Sequence, residues 1–257
     1  MKEIILYPIH SVVSLFEHIG RYCDLMIKTL RSFRTWHLYL GFLPEHMIKL
    51  GISTIPIVIV TGLFSGMVTT VQTAYQLESG FIPDSYVGGI VGVTVLMELS
   101  PMITALVMTG RVGASIAAEI GTMRVSEQID ALEILSFDPV SFLILPRIIS
   151  GAIMFPVMIV IADLFGILGG YLAATISLGI TPFNYIYGLR DWFMPWNAIF
   201  GIIKAFYFGI AITSIACYYG FYTSGGAEGV GKSTTQTVVA SCITVVILDY
   251  LLAAILL

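Results

Sequence analysis

The chain has 257 residues, of which 57% are hydrophobic and only 11% are charged, with a formal net charge of -4. Soluble globular domains carry about 25% charged residues, so too few charges are present here to cover a water-facing surface. The composition excludes a soluble enzyme, a disordered tail and a nucleic-acid-binding protein. It predicts an all-α integral membrane protein that lipid surrounds over most of its length.

Residues 1–45 form an N-terminal segment with its own pattern. Apolar residues recur at intervals of three and four along one stripe: Ile9, Val12, Phe16, Ile19, Cys23, Met26, Leu30 and Phe33. Four charged residues lie off this stripe: Arg21, Asp24, Lys28 and Arg31. The spacing predicts an amphipathic helix in the membrane interface, with its cations toward anionic head groups. A coiled-coil seam is the alternative, because the same spacing is heptad-like.

No removable signal peptide and no metal or disulfide site is predicted. Pro8, His10 and Glu17 interrupt any signal-peptide core, and no cleavage site follows. The three cysteines are widely spaced and form no CxxC pair: Cys23, Cys217 and Cys242. They are interpreted as small apolar residues of helices.

Residues 46–257 form a membrane domain with five hydrophobic stretches of spanning length. These stretches are Leu50–Val71, Val87–Met108, Ile148–Ile176, Ala198–Tyr219 and Thr237–Leu257. The third is longer than a straight span needs and contains Pro156, so a tilt or kink is expected. In the first, Gly62 and Gly66 form a GxxxG pattern that favours close helix packing.

The basic residues are distributed asymmetrically about these spans. With the N-terminus in the cytoplasm, five spans place the C-terminus on the outer side of the membrane, and the outer loops then contain only Arg190. The other basic residues outside the spans fall on the cytoplasmic side: Lys2, Arg21, Lys28, Arg31, Arg34, Lys49, Arg111, Arg124, Arg147 and Lys232. This asymmetry predicts a multi-pass protein with a cytoplasmic N-terminus.

Four ionisable residues lie within spans, where each needs a partner or a function. They are Glu98, Asp163, Lys204 and Asp249. Lys204 near Glu98 or Asp249 would neutralise both partners at once, which is the structural interpretation. The functional interpretation places Glu98, Lys204 and Asp249 on the wall of a polar cavity that contacts a lipid head group. Asp163 is assigned to structure.

Gln72 and Tyr75 close the first span at its outer end. They are candidates for the lining of a cavity mouth. Ordinary interfacial residues are the alternative, which is favoured for Tyr75.

The segment 110–139 between spans two and three is polar and has helical spacing of its apolar residues. The apolar positions are Ile116, Ile120, Met123, Ile129, Leu132 and Leu135, and Asp138-Pro139 ends the pattern. The spacing predicts one or two short helices outside the lipid, whose apolar edge docks a soluble partner. A solvated loop is the alternative, although loops of this length are commonly functional.

One motif matches a nucleotide-binding pattern but is interpreted as a chance match. Residues Gly226–Ser233 satisfy the P-loop pattern G-x-x-x-x-G-K-[ST], and an apolar run ending in Asp249 follows. A P-loop must join a buried strand to a helix in a soluble domain, whereas this segment lies between two spans. Asp249 also lies about 25 Å along the helix from Lys232, at 1.5 Å per residue, too far to hold magnesium at Ser233. No cofactor is predicted for this chain, and Lys232 is interpreted as a further positive-inside anchor.

The same polar segment carries a family resemblance. Gly110-Arg111-Val-Gly-Ala-Ser, Ala118-Glu119-Ile-Gly121-x-Met123-x-x-Ser126-Glu127-Gln128 and Asp138-Pro139 resemble the permease of the MCE lipid-transport systems, the MlaE/YrbE family of ABC-transporter membrane subunits. The resemblance covers residues 45–255. Further matches are Ser65-Gly66-Met67, Gln72, Glu98-Leu-x-Pro101, Pro146-Arg147, Ile203-Lys204, Thr234-Thr235-x-Thr-Val-Val239 and Leu248-Asp249.

The resemblance implies a homodimer in the bacterial inner membrane, docked on two cytoplasmic ABC ATPase subunits that bind the ATP. It also implies a periplasmic ring of MCE proteins and, in many systems, a STAS-domain protein on the ATPase. The implied function is the transport of phospholipid between the inner membrane and periplasmic or outer-membrane carriers, which maintains outer-membrane lipid asymmetry.

The resemblance also bears on individual residues. Glu98, Lys204 and Asp249 match recurrent polar positions near the dimer cavity of the family, whereas Met97 stands where many relatives carry arginine. Within the segment that would transmit ATP-driven movement, the candidate coupling residues are Arg111, Glu119, Met123, Arg124, Glu127, Gln128 and Asp130.

Two other classes of function remain as alternatives. An intramembrane lipid-modifying enzyme would need a catalytic cluster at the membrane face, whereas the four histidines all precede the first span. An ion-coupled secondary transporter would favour internal inverted repeats, which five spans do not offer. The chain is therefore predicted to be a transporter subunit and not an enzyme.

Overall fold

The computed structural model describes residues 2–32, 41–77 and 82–257, with side chains described from residue 16 onward. The regular elements in these ranges are helices. The α-helices are α1 (Lys2–Ser32), α2 (Leu43–Leu50), α3 (Ile55–Gln76), α4 (Ser85–Thr94), α5 (Ser100–Met108), α6 (Ala114–Val125), α7 (Gln128–Ile134), α8 (Leu145–Leu172), α9 (Pro182–Asp191), α10 (Pro195–Phe221) and α11 (Gly226–Leu256). A 3-10 turn covers Ile52–Thr54, and π-helical turns cover Val95–Leu99, Thr109–Gly113, Val140–Ile144 and Ala173–Ser177.

The five predicted spans are confirmed. Among the residues described, five continuous helical stretches are long and apolar enough to cross a membrane: Leu43–Gln76, Ser85–Val125, Val140–Ser177, Pro195–Phe221 and Gly226–Leu256. We call the end of this bundle that carries Lys49, Arg147 and Lys232 the basic end. The end that carries α9 is the opposite end.

Helix α3 buries mostly small side chains and exposes large apolar ones, the reverse of a helix in a soluble protein. On α3 the buried positions are Val58, Gly62, Gly66, Thr70 and Thr73. The exposed positions include Ile57, Val60, Phe64, Val68 and Val71. Such an arrangement is typical of helices in lipid, where packing of small residues rather than burial of large ones holds helices together.

Close packing between α3 and α8 follows from glycine on both helices. A Cβ added at Gly62 would meet the carbonyl oxygen of Ala162 at 2.8 Å, and one added at Gly66 would overlap the backbone of Gly166. The GxxxG pattern of the first span therefore forms its contact with the third span. Helix α8 runs through Pro156 without ending.

The N-terminal helix α1 packs against α10 through polar contacts. His18 Nδ1 lies 2.8 Å from the Tyr218 hydroxyl, and the hydroxyls of Tyr22 and Ser214 are 2.8 Å apart. Burial raises the pKa of Tyr22 above its ordinary value, so the phenol stays neutral in this contact. Leu25 is buried on the same side. The packing face of α1 thus lies beside the predicted apolar stripe and includes its residue Met26.

Most of the described residues of the predicted stripe of α1 are exposed, whereas Met26 packs against the core of the chain. Phe16 and Leu30 are 68% and 67% exposed, and Ile19 is also exposed, as expected of a face turned to lipid in an interfacial helix. The stripe positions Ile9 and Val12 have no described side chains, and Phe33 and Arg34 lie outside the described residues.

Two of the cations of α1 form ion pairs within the helix, whereas the prediction turned them toward anionic head groups. Arg21 pairs with Glu17 at 2.5 Å and Lys28 with Asp24 at 2.8 Å, each four residues apart on one helix face. The hydrogen bond to Asp24 raises the pKa of Lys28. Exposed pairs of this kind contribute little to stability, but they offset the positive charge that would attract anionic lipid.

Candidate functional site

Lys204 lies between two carboxylates inside the bundle. Its Nζ donates a hydrogen bond of 2.6 Å to Glu98 Oε2 and lies 2.8 Å from Asp249 Oδ1, an ion pair without hydrogen-bond alignment. The ammonium is also 4.7 Å from the centre of the Phe200 ring, within cation-π range. We call Glu98, Lys204 and Asp249 the triad.

Three spans position the triad. Glu98 lies in the π-helical turn Val95–Leu99, and π-turns in long helices often occur at functional positions. Lys204 is about 14 Å along α10 from its start at Pro195, and Asp249 is about 11 Å before the end of α11, at 1.5 Å per residue. The triad therefore lies within the bundle but nearer the opposite end than the basic end.

Exposure differs sharply among the three side chains. Lys204 is fully buried and Asp249 is 10% exposed, whereas the side chain of Glu98 is 47% exposed. The predicted pairing of Lys204 with Glu98 or Asp249 is confirmed, and the lysine contacts both acids. Because one ammonium serves two carboxylates, Glu98 is the member with free acceptor capacity at the protein surface.

Asp163, the fourth ionisable residue in a span, lies elsewhere. It is 7% exposed on α8 and interacts with the Ser100 side chain, and its Oδ1 has no hydrogen-bond partner among the described residues. Among the described residues the ion pairs of Lys204 are with Glu98 and Asp249 and not with Asp163, whose assignment to structure stays a prediction.

Gln72 and Tyr75 are not brought to the triad. Both are exposed at the end of α3, which packs mainly against α8. Gln72 lines an open groove of about 420 Å³ between α3 and the turn Ala173–Ser177, and Tyr75 lines a neighbouring groove of about 500 Å³. Neither groove contains a triad residue, so the lining of a cavity mouth by Gln72 and Tyr75 remains a prediction.

The segment 110–139 differs from the prediction of short separate helices. Its first half continues the second span without a break, so that Ser85–Val125 forms one stretch of 41 residues. Only α7 is a separate short helix, after a turn in which Glu127 has a φ of 59°. The prediction placed the end of the second span near Arg111 because hydropathy falls there. The helix continues past Arg111, since a polar side chain does not interrupt backbone hydrogen bonding.

Most of the predicted apolar edge of this segment is internal. Ile116, Ile120 and Ile129 are buried in the core of the chain, and Met123 and Leu132 pack against it. The prediction that this edge forms a docking surface was wrong for the buried residues Ile116, Ile120 and Ile129. They lie in the core of the chain, where α6 packs against α10 and α11.

A different apolar patch is exposed at this point. Ile134 is 84% exposed, Leu135 67% and Phe137 50%, all at the end of α7. We call these three residues the α7 patch. Sequence reasoning included Leu135 but missed Ile134 and Phe137, because helical spacing does not show where α7 ends and the chain turns at Ser136, with a φ of 61°.

The candidate coupling residues occupy different surroundings. Glu119 contacts Lys49 and Arg147 of the chain itself, and Arg124 pairs with Asp130 at 2.6 Å. Three of the candidate coupling residues are exposed: Arg111, Glu127 and Gln128.

The P-loop pattern lies within a helix. Gly225 and Gly226 have φ values of 92° and 69° and form the turn into α11, and Lys232 and Ser233 belong to that helix. The Ser233 side chain is turned inward, where its hydroxyl accepts a hydrogen bond of 2.9 Å from Thr223. This inward orientation is not that of a hydroxyl presented to a phosphate. Among the described residues, no group of three His, Cys, Asp or Glu side chains is placed to hold a metal ion.

Comparison with known proteins identifies the family. Residues 43–255 match the family described as Permease MlaE. This chain belongs to the MlaE permease family. The match begins at α2 and ends within α11, so it includes the triad, α7 and all five spans.

Individual relatives of the MlaE permease family come from distant organisms. A probable ABC transporter permease protein of Rickettsia felis is 40% identical over 240 residues, covering 93% of this chain and 92% of the relative. The intermembrane phospholipid transport system permease protein MlaE of Haemophilus influenzae is 32% identical over 248 residues, covering 96% and 94%. The chloroplast protein trigalactosyldiacylglycerol 1 of Arabidopsis thaliana is 34% identical over 210 residues, covering 82% and 60%.

Proposed function

We propose that this chain is the membrane subunit of an ATP-driven phospholipid transporter. Family membership and the name of the Haemophilus relative support transport of phospholipid. The names of the Rickettsia relatives support an ABC transporter. In this proposal the chain hydrolyses nothing itself and binds no nucleotide.

The half-exposed carboxylate of Glu98 is the observation that carries this proposal. A charged side chain within a membrane span is costly unless it faces protein or water. Lys204 neutralises one carboxylate of the triad, and the other needs a polar surrounding at the surface of the chain. A cavity between two copies of this chain would supply that surrounding and would hold a lipid head group beside Glu98.

In the proposed assembly, the basic end faces the cytoplasm and the opposite end faces the periplasm of a bacterial inner membrane. The positive-inside rule supports this orientation, since Lys49, Arg124, Arg147 and Lys232 all lie at or near the basic end. The α7 patch then lies on the cytoplasmic side. There it provides the apolar contact for one ATPase subunit, and two such subunits serve the homodimer.

The remaining partners follow from the family and complete the proposal. A ring of MCE proteins accepts or delivers lipid at the periplasmic end, and a STAS-domain protein binds the ATPase. Lipid exchange with periplasmic or outer-membrane carriers would maintain outer-membrane lipid asymmetry.

The test is purification of the tagged chain from its own cells in mild detergent, with mass spectrometry of bound proteins and lipids. An ABC ATPase and an MCE protein at fixed ratio, together with phospholipid, are the expected result. Reconstitution into vesicles should then give phospholipid transfer that needs ATP. Purification of the chain without an ATPase, under conditions that keep other membrane complexes intact, would contradict the proposal.

A further inference from the structure

Glu119 joins the basic ends of three membrane-crossing stretches. Its Oε2 lies 2.8 Å from Lys49 Nζ on α2, and its Oε1 lies 3.2 Å from Arg147 Nη2 near the start of α8. Arg147 is 3% exposed, and its Nη1 donates a hydrogen bond of 2.6 Å to the Leu143 carbonyl oxygen, which holds the guanidinium in place. Each oxygen of one carboxylate therefore contacts a different helix.

The rest of α6 contacts α10 and α11 in another way. Gly121 packs so closely on Thr223 that an added Cβ would lie 2.9 Å from its hydroxyl, and Gly220 packs on Ile120 at the same distance. These contacts are apolar and steric, whereas the contacts of Glu119 are ionic. Helix α6 is thus joined to spans four and five by packing, and its carboxylate Glu119 forms ion pairs with spans one and three.

Helix α7 is connected to α6, which carries Glu119, through a short turn. Two residues separate α7 from α6, and the Arg124–Asp130 ion pair of 2.6 Å spans this turn. A displacement of α7 therefore moves α6 with it, since the two helices are tied at their junction.

We propose that Glu119 is a positioning residue that transmits movement of α7 to spans one and three. This inference rests on the proposed function, in which an ATPase contacts the α7 patch. Glu119 itself does not contact the ATPase in this account. It keeps α2 and α8 moving with α6 when the ATPase closes, so that all the spans respond together.

The test compares Glu119→Gln with Glu17→Gln in the purified complex of this chain with its own ATPase, reconstituted in phospholipid vesicles. Glu17 is the matched control because it forms an ion pair with Arg21 on α1, away from α6. With Glu119→Gln, ATP hydrolysis should persist while lipid transferred per ATP falls about fivefold or more. With Glu17→Gln, both quantities should equal those of the unchanged chain.

Loss of Glu119 leaves the buried Arg147 without a counter-charge, which can prevent folding. Lys49→Met is therefore a second variant, because it removes the link to α2 while Glu119 still neutralises Arg147. It should also lower lipid transferred per ATP. Unchanged lipid per ATP in Lys49→Met and in any folded Glu119→Gln would overturn the inference. Failure of the proposed function is distinguishable, since the unchanged chain would then bind no ATPase or transfer no lipid with ATP.

Discussion

The Nζ of Lys204 lies 2.6 Å from Oε2 of Glu98, although the lysine is fully buried and the side chain of Glu98 is 47% exposed. The pair thus reaches from the interior of the bundle to its surface. Asp249, at 2.8 Å from the same Nζ, remains almost wholly inside. The two carboxylates therefore differ in their surroundings: Asp249 balances the buried charge, and Glu98 presents its carboxylate at the surface of the chain.

Glu98→Gln should separate the functional from the structural interpretation of the triad. The substitution leaves Lys204 and Asp249 as a neutral pair, and the amide oxygen can still accept the lysine hydrogen bond. We expect the free energy of unfolding to change by about 1 kcal/mol or less. ATP-dependent lipid transfer should fall by about an order of magnitude, because the exposed charge is removed. Transfer equal to that of the unchanged chain would assign Glu98 to structure alone.

Lys204→Met should mainly lower stability, whereas Glu98→Gln should mainly lower lipid transfer. It leaves Glu98 and Asp249 facing each other without the ammonium between them. Removal of one partner from a buried ion pair costs about 3–5 kcal/mol, so thermal denaturation in detergent should show a large loss of stability. The combined variant Lys204→Met with Asp249→Asn should recover part of this loss. No recovery would show that the ion pair is not the source of the effect.

Charge placed on the α7 patch should weaken binding of the ATPase. Ile134→Asp alters a side chain that is 84% exposed, so the fold should be unaffected while the apolar surface offered to the ATPase is disrupted. The measurement is the ratio of ATPase to permease after co-purification. Thr235→Asp is the control, since it adds the same charge at the exposed start of α11, near the basic end. An undiminished ratio with Ile134→Asp would exclude this patch as the binding surface.

The spans and the triad could be predicted from the sequence for one physical reason. In lipid, long apolar stretches must be helical, and an ionisable residue inside such a stretch needs an opposite charge. Lys204 is the basic residue that hydropathy places inside a span, so its partners were expected among the acids of other spans: Glu98, Asp163 and Asp249. The match of Glu98 and Asp249 to polar positions of the family separated these two acids from Asp163.

The surroundings of the coupling segment could not be predicted in the same way. Helical spacing gave the apolar positions of α6 and α7 but not whether they face a partner protein or the chain's own core. Ile120 and Ile134 are equally apolar in sequence, yet one is buried and the other is 84% exposed. Likewise the two cations that meet Glu119 lie 70 residues before it and 28 after it in the numbering, so only tertiary packing brings them together.

Lys232→Ala tests the interpretation of the P-loop pattern. Because the Ser233 hydroxyl bonds to Thr223 and Gly225 and Gly226 form the turn into α11, the segment offers no phosphate site for the lysine to contact. ATP hydrolysis by the assembled complex should therefore be unchanged, with the same nucleotide affinity. Abolished hydrolysis with an intact complex would show that this chain does bind nucleotide.

Gly66→Ala should separate α3 from α8. The added methyl group would overlap the backbone of Gly166, which cannot move aside as a flexible side chain would. Overpacking of this kind costs about 1–3 kcal/mol, so the midpoint of thermal denaturation in detergent should fall. Gly110→Ala is the matched control, because a Cβ at this exposed helical position meets nothing within 4 Å. Alanine is favoured over glycine in helices by about 1 kcal/mol, so the control should hold or raise the midpoint. Equal midpoints for the two variants would show that the close approach of Gly66 and Gly166 does not hold the first and third spans together.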